Sequence, residues 1–317
     1  MLCGLIVAAG VSSCAERYKP LLPVGNEVMI HRTARLMLEA GAERVIVVTG
    51  YLSEWIADEL SDLAVTLCHN PRYAITEMID SIRLGLRSLP ADCSRVILMP
   101  ADVPMASPDT LKFLLDCQEP LVAPCYKGLL GHPILMDRSV FPVIQAYRGE
   151  GGLRAAIAAA GLHWLKLPVD DESVSLNAHT ADEYSHLLKH NVRLGGGYEQ
   201  FRLHLDAQVR AVDVSFNAAI AQFLELIAHT GSIQTACKCM QMSYSKGWRM
   251  IRHLENTLGY PVLRKTVGGA EGGGSKLTKK GKDFLLKYQA MEKEIQEQSQ
   301  EIFKKYFNDD MSCNPKY

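Results

Sequence analysis

Residues 2–23 read LCGLIVAAGVSSCAERYKPLLP, and the opening of this stretch decides the fold. Leu2–Ala9 is a short apolar run, of the kind found in strands buried on both faces. No Lys or Arg precedes Arg17, so the run lacks a secretory n-region, and neither a signal core nor a lipidated Cys14 is expected. Comparable runs return at Val45–Val48, Val96–Met99, Leu121–Ala123 and Leu165–Val169. Helical patterns lie between them, at His31–Ala40, Ser53–Leu60, Thr76–Leu89, Pro108–Cys117, Leu153–Ala160 and Ala181–Lys189. Alternation of this kind predicts a three-layer α/β domain with a mostly parallel sheet. Ligands of such sheets sit at the carboxyl ends of the strands.

The first strand runs into a turn of small residues, Ala8-Ala9-Gly10-Val11-Ser12-Ser13. A turn of that composition exposes backbone N–H groups, and Lys19, nine residues past Gly10, can return a positive charge to the same place, as a triphosphate requires. The spacing is not that of a Walker A loop, and on spacing alone a plain strand-to-helix turn serves equally well. Asp102 follows the strand Val96–Met99 and would stand at its carboxyl end, where a carboxylate can hold Mg²⁺ against nucleotide phosphates. Capping of the turn before Pro104 is its other reading.

The whole chain has 317 residues, with 48% hydrophobic and 22% charged side chains, ordinary figures for about two globular domains. No apolar run approaches the ~18 residues of a membrane span, so a soluble, cytoplasmic protein with no membrane partner is expected. Nine cysteines without a CxxC pair argue against a disulfide framework or a structural zinc. Charge divides the chain. Residues 1–190 hold 16 basic and 22 acidic side chains, and residues 191–317 hold 18 and 13. We expect domains at 1–190 and 200–317, joined by a linker at 191–199 that contains Leu194-Gly195-Gly196-Gly197. A strand-like segment follows at Gln200–Leu205.

Over about the first 190 residues the chain resembles the nucleotidyltransferase superfamily that activates sugars, isoprenoid precursors and the molybdenum cofactor. Ala8-Ala9-Gly10 followed by Lys19-Pro20-Leu21-Leu22-Pro23 is most similar to the molybdenum cofactor cytidylyltransferases. Further matches are Asn70-Pro71, Met78 and Ser81 before Gly85-Leu86, Pro100-Ala101-Asp102-Val103-Pro104, Gly131-His132-Pro133, Gly149-Glu150-Gly151-Gly152 with Arg154, and Val169-Asp170-Asp171. The resemblance implies a Rossmann-like nucleotidyltransferase domain in which Lys19 and Asp102 are catalytic. Ala8, Ala9, Gly10, Ser12, Ser13, Arg17, Lys19 and Ser81 would bind the nucleotide, CTP or GTP. His132 and Arg154 would face the acceptor, a molybdopterin-type cofactor whose terminal phosphate attacks the α-phosphate of CTP. Mg²⁺ would lie on Asp102, with Asn177 as a neutral second oxygen ligand, since hard cations prefer oxygen; that preference makes His179 a loop residue rather than a ligand. Thr180 reads as the cap of the last helix.

Two departures bear on turnover. Cys14 and Glu16 stand where that family's pattern has Arg and Gly. Losing an arginine removes charge-assisted hydrogen bonds worth about 1.5–3 kcal/mol each, and Glu16 adds a carboxylate beside the expected phosphates. Glu77 and Asp80 likewise replace small residues. A domain that binds nucleotide or cofactor with little turnover, acting as a sensor, is therefore the alternative to an enzyme. Another phosphorylated acceptor, a sugar or isoprenoid phosphate, is a third reading.

In the C-terminal part, Ser232–Lys282 carries ten basic residues against Glu255 and Glu271, a stretch that attracts a polyanion. Ala218–Thr230 forms an amphipathic pattern ending at Gly231; Ser232 caps Ile233–Met240, and Ser243 caps Tyr244–Leu258. Trp248, Ile251 and Leu254 would face inward, with Lys246, Arg249, Arg252 and His253 outward. Val262–Lys265 and Lys276–Thr278 flank the glycine-rich residues 268–274, which gives the outline of a winged helix-turn-helix. Ser243, Tyr244, Ser245, Lys246 and Arg249 would enter the major groove of double-stranded DNA, while Arg264, Lys265, Lys276 and Lys279 grip phosphates. Across about residues 200–290 the run Thr230-Gly231-Ser232-Ile233, Met242-Ser243-Tyr244, Trp248 and Gly268 to Thr278 is similar to the DNA-binding domain of molybdate-responsive transcription regulators, of the LysR-like winged-helix class. Those regulators carry molybdate-binding modules after this domain; the short remainder here implies a chain without its own oxyanion sensor. A last helix, Lys282–Phe307, presents Phe284, Tyr288, Met291, Ile295 and Ile302 as a stripe for a homodimer seam or for packing against the wing.

Overall fold

The computed structural model describes residues 1–11, 13–14, 17–193, 207–211, 214–240, 242–266 and 274–311. The linker glycines and the segment 200–205 lie outside the described residues. The chain divides into two compact units, Met1–Glu199 and Gln200–Tyr317.

In the first unit the strand β1 (Leu2–Ala8) leads through a small hairpin, β2 (Ser13–Cys14) and β3 (Arg17–Tyr18), to a single 3-10 turn at Lys19–Leu21. A second hairpin, β4 (Pro23–Val24) with β5 (Glu27–Val28), precedes helix α1 (Met29–Glu39). Then come β6 (Arg44–Thr49), α2 (Ser53–Glu59), β7 (Val65–His69), α3 (Met78–Ser88), β8 (Arg95–Pro100) and α4 (Pro108–Asp116). The unit continues with β9 (Leu121–Tyr126), β10 (Leu129–Leu130), β11 (Ile134–Asp137), α5 (Phe141–Ala146), α6 (Gly152–Ala159), β12 (Leu165–Pro168) and α7 (Ala181–Arg193).

Eight strands form one sheet in the order β10-β9-β11-β8-β1-β6-β7, with β12 beside β9. β1 pairs in parallel with β6 and β8, β6 with β7, and β9 with β12, whereas β11 runs antiparallel between β8 and β9. The sheet is thus mostly parallel. Leu5, Ile6, Val47, Val48, Ile97 and Met99 are fully enclosed, each such side chain contributing about 1.5–3 kcal/mol. Successive residues of a strand face opposite sides. Met37 of α1 lies over Gly4, whereas a side chain at Gly85 of α3 would strike Leu5, so the two helices cover opposite faces and the domain has three layers. The sequence pattern missed β7 and β11. β7 is an edge strand with no buried residue, each being exposed or half-buried, and β11 carries only three apolar residues.

The second unit begins with a hairpin, β13 (Val209–Ala211) and β14 (Val214–Phe216). It continues with α8 (Ala218–Thr230), α9 (Ile233–Cys239), α10 (Tyr244–Leu258), the antiparallel pair β15 (Leu263–Thr266) and β16 (Gly274–Leu277), and α11 (Lys279–Met311). Three helices followed by a β-ribbon are a winged helix-turn-helix. Asn217, Ser232 and Ser243 cap the three helices through their side-chain oxygens, and Gly231 and Gly259 end α8 and α10 in the left-handed region. Gly247 lets α10 settle on α9 and α8, since a Cβ there would meet Cys237 and the Phe223 ring. Phe216 packs edge-to-face on Phe284 and Tyr288 of α11, with both ring centroids at 4.8 Å, so the start of the expected stripe serves the unit's own core. Its far end differs from expectation: Ile302 is 56% exposed and Phe303 is buried, because the helix phase brings 285, 288, 299 and 303 inward. The wing tip, residues 267–273, lies outside the described residues.

Candidate functional site

The site is set by where β1 and β8 end. Their carboxyl ends lie side by side, with Val7 opposite Pro100, and the residues that follow, Ala8-Ala9-Gly10 and Ala101-Asp102, line one crevice with Lys19, Pro20, Tyr73, Thr76, Glu77, Met78 and Ser81. Tyr18, buried beneath it, donates its hydroxyl to the Ala8 carbonyl at 2.5 Å and meets Tyr51 edge-to-face. Burial pushes that phenol well above its ordinary value, so it stays a donor.

Lys19 is 5% exposed, a cation taken out of water, and such a group needs a partner. Its Nζ lies 3.8 Å from Asp102 Oδ2 and 2.7 Å from His179 Nδ1; His179 Nδ1 is itself 3.5 Å from Asp102 Oδ2. A small apolar cluster brings the three together. Leu22 follows the lysine turn, Met105 follows Asp102, and Ala178 precedes His179; all three are buried together with Val24, Met29, Leu176 and Leu187. Tyr184 of α7 donates to the Pro23 carbonyl at 2.6 Å, and Thr180 and Glu183 form a reciprocal cap at the start of that helix. Of the two residues weighed as a second ligand, His179 meets Asp102. Asn177 Oδ1 instead accepts the His179 backbone N–H at 3.2 Å.

Ser81 is buried in the floor, where Asn70 donates to its hydroxyl at 3.1 Å and to Thr76 at 3.0 Å. The carboxylates that replace small residues are both engaged locally. Glu77 and Asp80 form a capping box at the start of α3, and Asp80 also pairs with Arg83 at 2.7 Å. Glu77 nonetheless lines the crevice. Ser12 and Glu16 lie outside the described residues, as do the side chains of Ser13, Cys14 and Arg17.

A second pocket adjoins the first and shares Val7, Met78 and Pro100 with it. His132 and Arg154 line it, together with Leu130, Gly131, Ile134, Leu153 and Trp164. Burial pushes the His132 imidazole down to about 4; Asp102 opposes this and Arg154 adds to it. The ring is therefore neutral at neutral pH. Asp171 fastens the loop after β12 to the start of α4, accepting from Ser107 N at 3.0 Å, Thr110 Oγ1 at 2.6 Å and Ser173 N at 3.0 Å. Burial pushes its carboxyl up, and the hydrogen bonds from Ser173, Thr110 and Ser107 outweigh that and hold it below its ordinary value. Sequence reasoning missed Trp164 and the role of His179. Each is a lone residue in an irregular stretch, and only the assembled sheet shows what it faces.

In the second unit Ser243, Tyr244, Ser245, Lys246 and Arg249 are exposed on the first turns of α10, and Arg264, Lys276 and Lys279 are exposed on the ribbon and the start of α11. The Lys265 side chain lies outside the described residues. Trp248 is half-buried, with Tyr244 on its edge and Arg252 over its ring at 6.0 Å. Glu255 Oε1 accepts from the backbone N–H groups of Val262 and Leu263 and so fixes the root of the ribbon.

A mostly parallel three-layer sheet whose small-residue turn, buried lysine and acid meet at the strand ends defines a nucleotide-binding α/β domain of the nucleotidyltransferase class. Residues 4–164 match the MobA-like NTP transferase domain, and the chain belongs to that family. Rv0371c from Mycobacterium tuberculosis H37Rv shares the fold, with a TM-score of 0.53 at 24% identity over 59% of this chain and 97% of that one. The remainder of the chain is similar to molybdenum-related proteins. It is 33% identical over 95 residues to the molybdenum transport protein ModE of Azotobacter vinelandii, and 30% identical over 97 residues to the molybdenum-pterin-binding protein MopB of Rhodobacter capsulatus. These matches cover 30% and 31% of this chain, which spans about a third of the length of either relative (34% and 36%). A MobA-like transferase domain is thus joined to a ModE-like region. No helix among the described residues is long and apolar enough to cross a membrane.

Proposed function

We propose that the first domain transfers CMP from CTP to a molybdopterin-type cofactor, releasing pyrophosphate, and that the second binds double-stranded DNA, tying the enzyme to transcription of molybdenum genes. The reading takes residues 1–190 and 200–317 as the two functional domains, in a cytoplasmic protein. The observation that carries it is the shared wall of the two pockets: the crevice of Gly10, Lys19 and Asp102 opens onto the pocket of His132, Arg154 and Trp164 across Val7, Met78 and Pro100. A nucleotide α-phosphate and an acceptor phosphate can meet there. A terminal phosphate oxygen of the acceptor forms the new P–O bond to the α-phosphorus, and the bond to the β-phosphate bridging oxygen breaks.

Loop amides after β1 and the Lys19 ammonium would carry the departing pyrophosphate, because transfer of this kind is chiefly positioning and electrostatics. A divalent cation fits the site: the Asp102 carboxylate is 17% exposed and already turns an oxygen toward the Lys19 ammonium, so a cation position exists in the crevice. Bound there, the ion would neutralise charge on the nucleotide phosphates. Arg154, an exposed cation on α6, would hold the anionic end of the acceptor, and Trp164 would lie against its flat ring system.

The sensor reading keeps one structural support, the Glu77 carboxylate on the crevice wall. A pyrophosphate-release assay with divalent ion, molybdopterin and either CTP or GTP decides between them. Release with CTP supports the cytidylyltransferase; ligand binding without release supports the sensor; release only with another phosphorylated acceptor supports the third reading. A homodimer would use the distal part of α11, where Ile302 and Tyr306 are exposed.

A further inference from the structure

We propose that the divalent cation of this site is held by one oxygen of Asp102 together with Nδ1 of His179, and that this mixed oxygen–nitrogen pair selects a first-row transition ion over Mg²⁺. The inference rests on reading the crevice as a triphosphate site. It goes further in naming the second ligand and the class of metal.

Three observations converge. The first is spacing. Donors about 2.0–2.2 Å from a common ion lie roughly 3.0–3.5 Å apart, and Nδ1 and Oδ2 are 3.5 Å apart. The second is that a cation already faces both donors, the Lys19 ammonium, at 2.7 Å from Nδ1 and 3.8 Å from Oδ2. An ammonium can only donate, so Nδ1 accepts, its lone pair faces the crevice and the ring proton is on Nε2, which is the form in which imidazole binds metals. The third is that both donors are anchored: Met105 behind Asp102 and Ala178 beside His179 are buried in the same cluster, and the Asn177 side chain holds the His179 backbone from behind.

Among the described residues no group of three or more His, Cys, Asp or Glu converges on a metal position. Two protein donors would therefore be completed by phosphate oxygens and water, as a nucleotide-borne ion requires. Magnesium favours an all-oxygen shell, whereas an imidazole nitrogen favours transition ions. Loading would move the Lys19 ammonium from this position to the phosphate oxygens, the place a transferase needs it.

The test uses the full chain stripped with EDTA, reloaded with Mn²⁺ and CTP and studied by pulsed electron paramagnetic resonance. The wild type is expected to show both phosphorus coupling from the nucleotide and nitrogen coupling from imidazole. His179→Asn should keep the first and lose the second, and its preference for Mn²⁺ over Mg²⁺ in competition titrations should fall about tenfold. His179 is 60% exposed, so the substitution spares the core, and an unchanged circular dichroism spectrum checks this. Phosphorus coupling without nitrogen coupling in the wild type, or an unchanged metal preference in the variant, overturns the inference and leaves the triphosphate reading standing. Absence of any CTP-dependent Mn²⁺ signal overturns both.

Discussion

Enclosing His132 beside the second pocket carries a measurable cost. The imidazole is held neutral, pushed down to about 4 from its ordinary 6.5, chiefly by burial and against the pull of Asp102. Unfolding releases the ring to water, so between these values the unfolded chain binds a proton that the folded one refuses. Stability therefore falls as the pH drops through 6.5, and the loss is complete below about 4. At 1.36 kcal/mol per pH unit the gap is worth about 3 kcal/mol at most, because one edge of the half-buried residue opens to the pocket. Denaturant unfolding from pH 7.5 to pH 4 in EDTA would measure it, with Trp55→Phe and Trp248→Phe leaving Trp164 of the same pocket as reporter. His132→Gln shifts the whole curve, yet between pH 7 and pH 4 it should lose about 2–3 kcal/mol less than the parent. Parallel curves, or a ring that titrates by NMR near 6.5, would refute the argument.

Three further outcomes follow from the geometry. Lys19→Ala removes the ammonium that faces Asp102 and should abolish nucleotide binding in calorimetry while leaving DNA affinity intact; equal loss of both would contradict independent halves. Lys246→Ala with Arg249→Ala removes side chains expected in the major groove and should weaken DNA binding and relax its sequence preference in a binding titration, with the transferase unchanged; an inactive transferase would refute the division of labour. Asp171→Asn weakens charged hydrogen bonds worth about 1.5–3 kcal/mol each. Its carboxyl is held below the ordinary 3.8, so the stabilisation is present above that value and lost as the pH falls through the folded one. Melting curves should show the variant less stable at pH 7 and closer to the parent at pH 2.5.

The sequence by itself determined the layered, mostly parallel sheet, the succession of its apolar strands along the chain and the three helices and ribbon of the second unit. These follow from local period and capping: Leu2–Ala9 is apolar throughout, Ser232 and Ser243 stand where caps belong, and Gly231 and Gly259 end their helices. Residues after buried strands, such as Gly10 and Asp102, were legible for the same reason, since strand ends of a parallel sheet have a defined place. The tertiary structure alone decided what meets what. Residues 19, 102 and 179 are far apart along the chain, and their approach depends on Leu22, Met105 and Ala178 sharing one small core. The half-exposed edge strand β7 and the short antiparallel β11 carried too little apolar pattern to be read. A histidine in a loop has no period, and its chemistry is set by the neighbours that packing of the whole domain supplies.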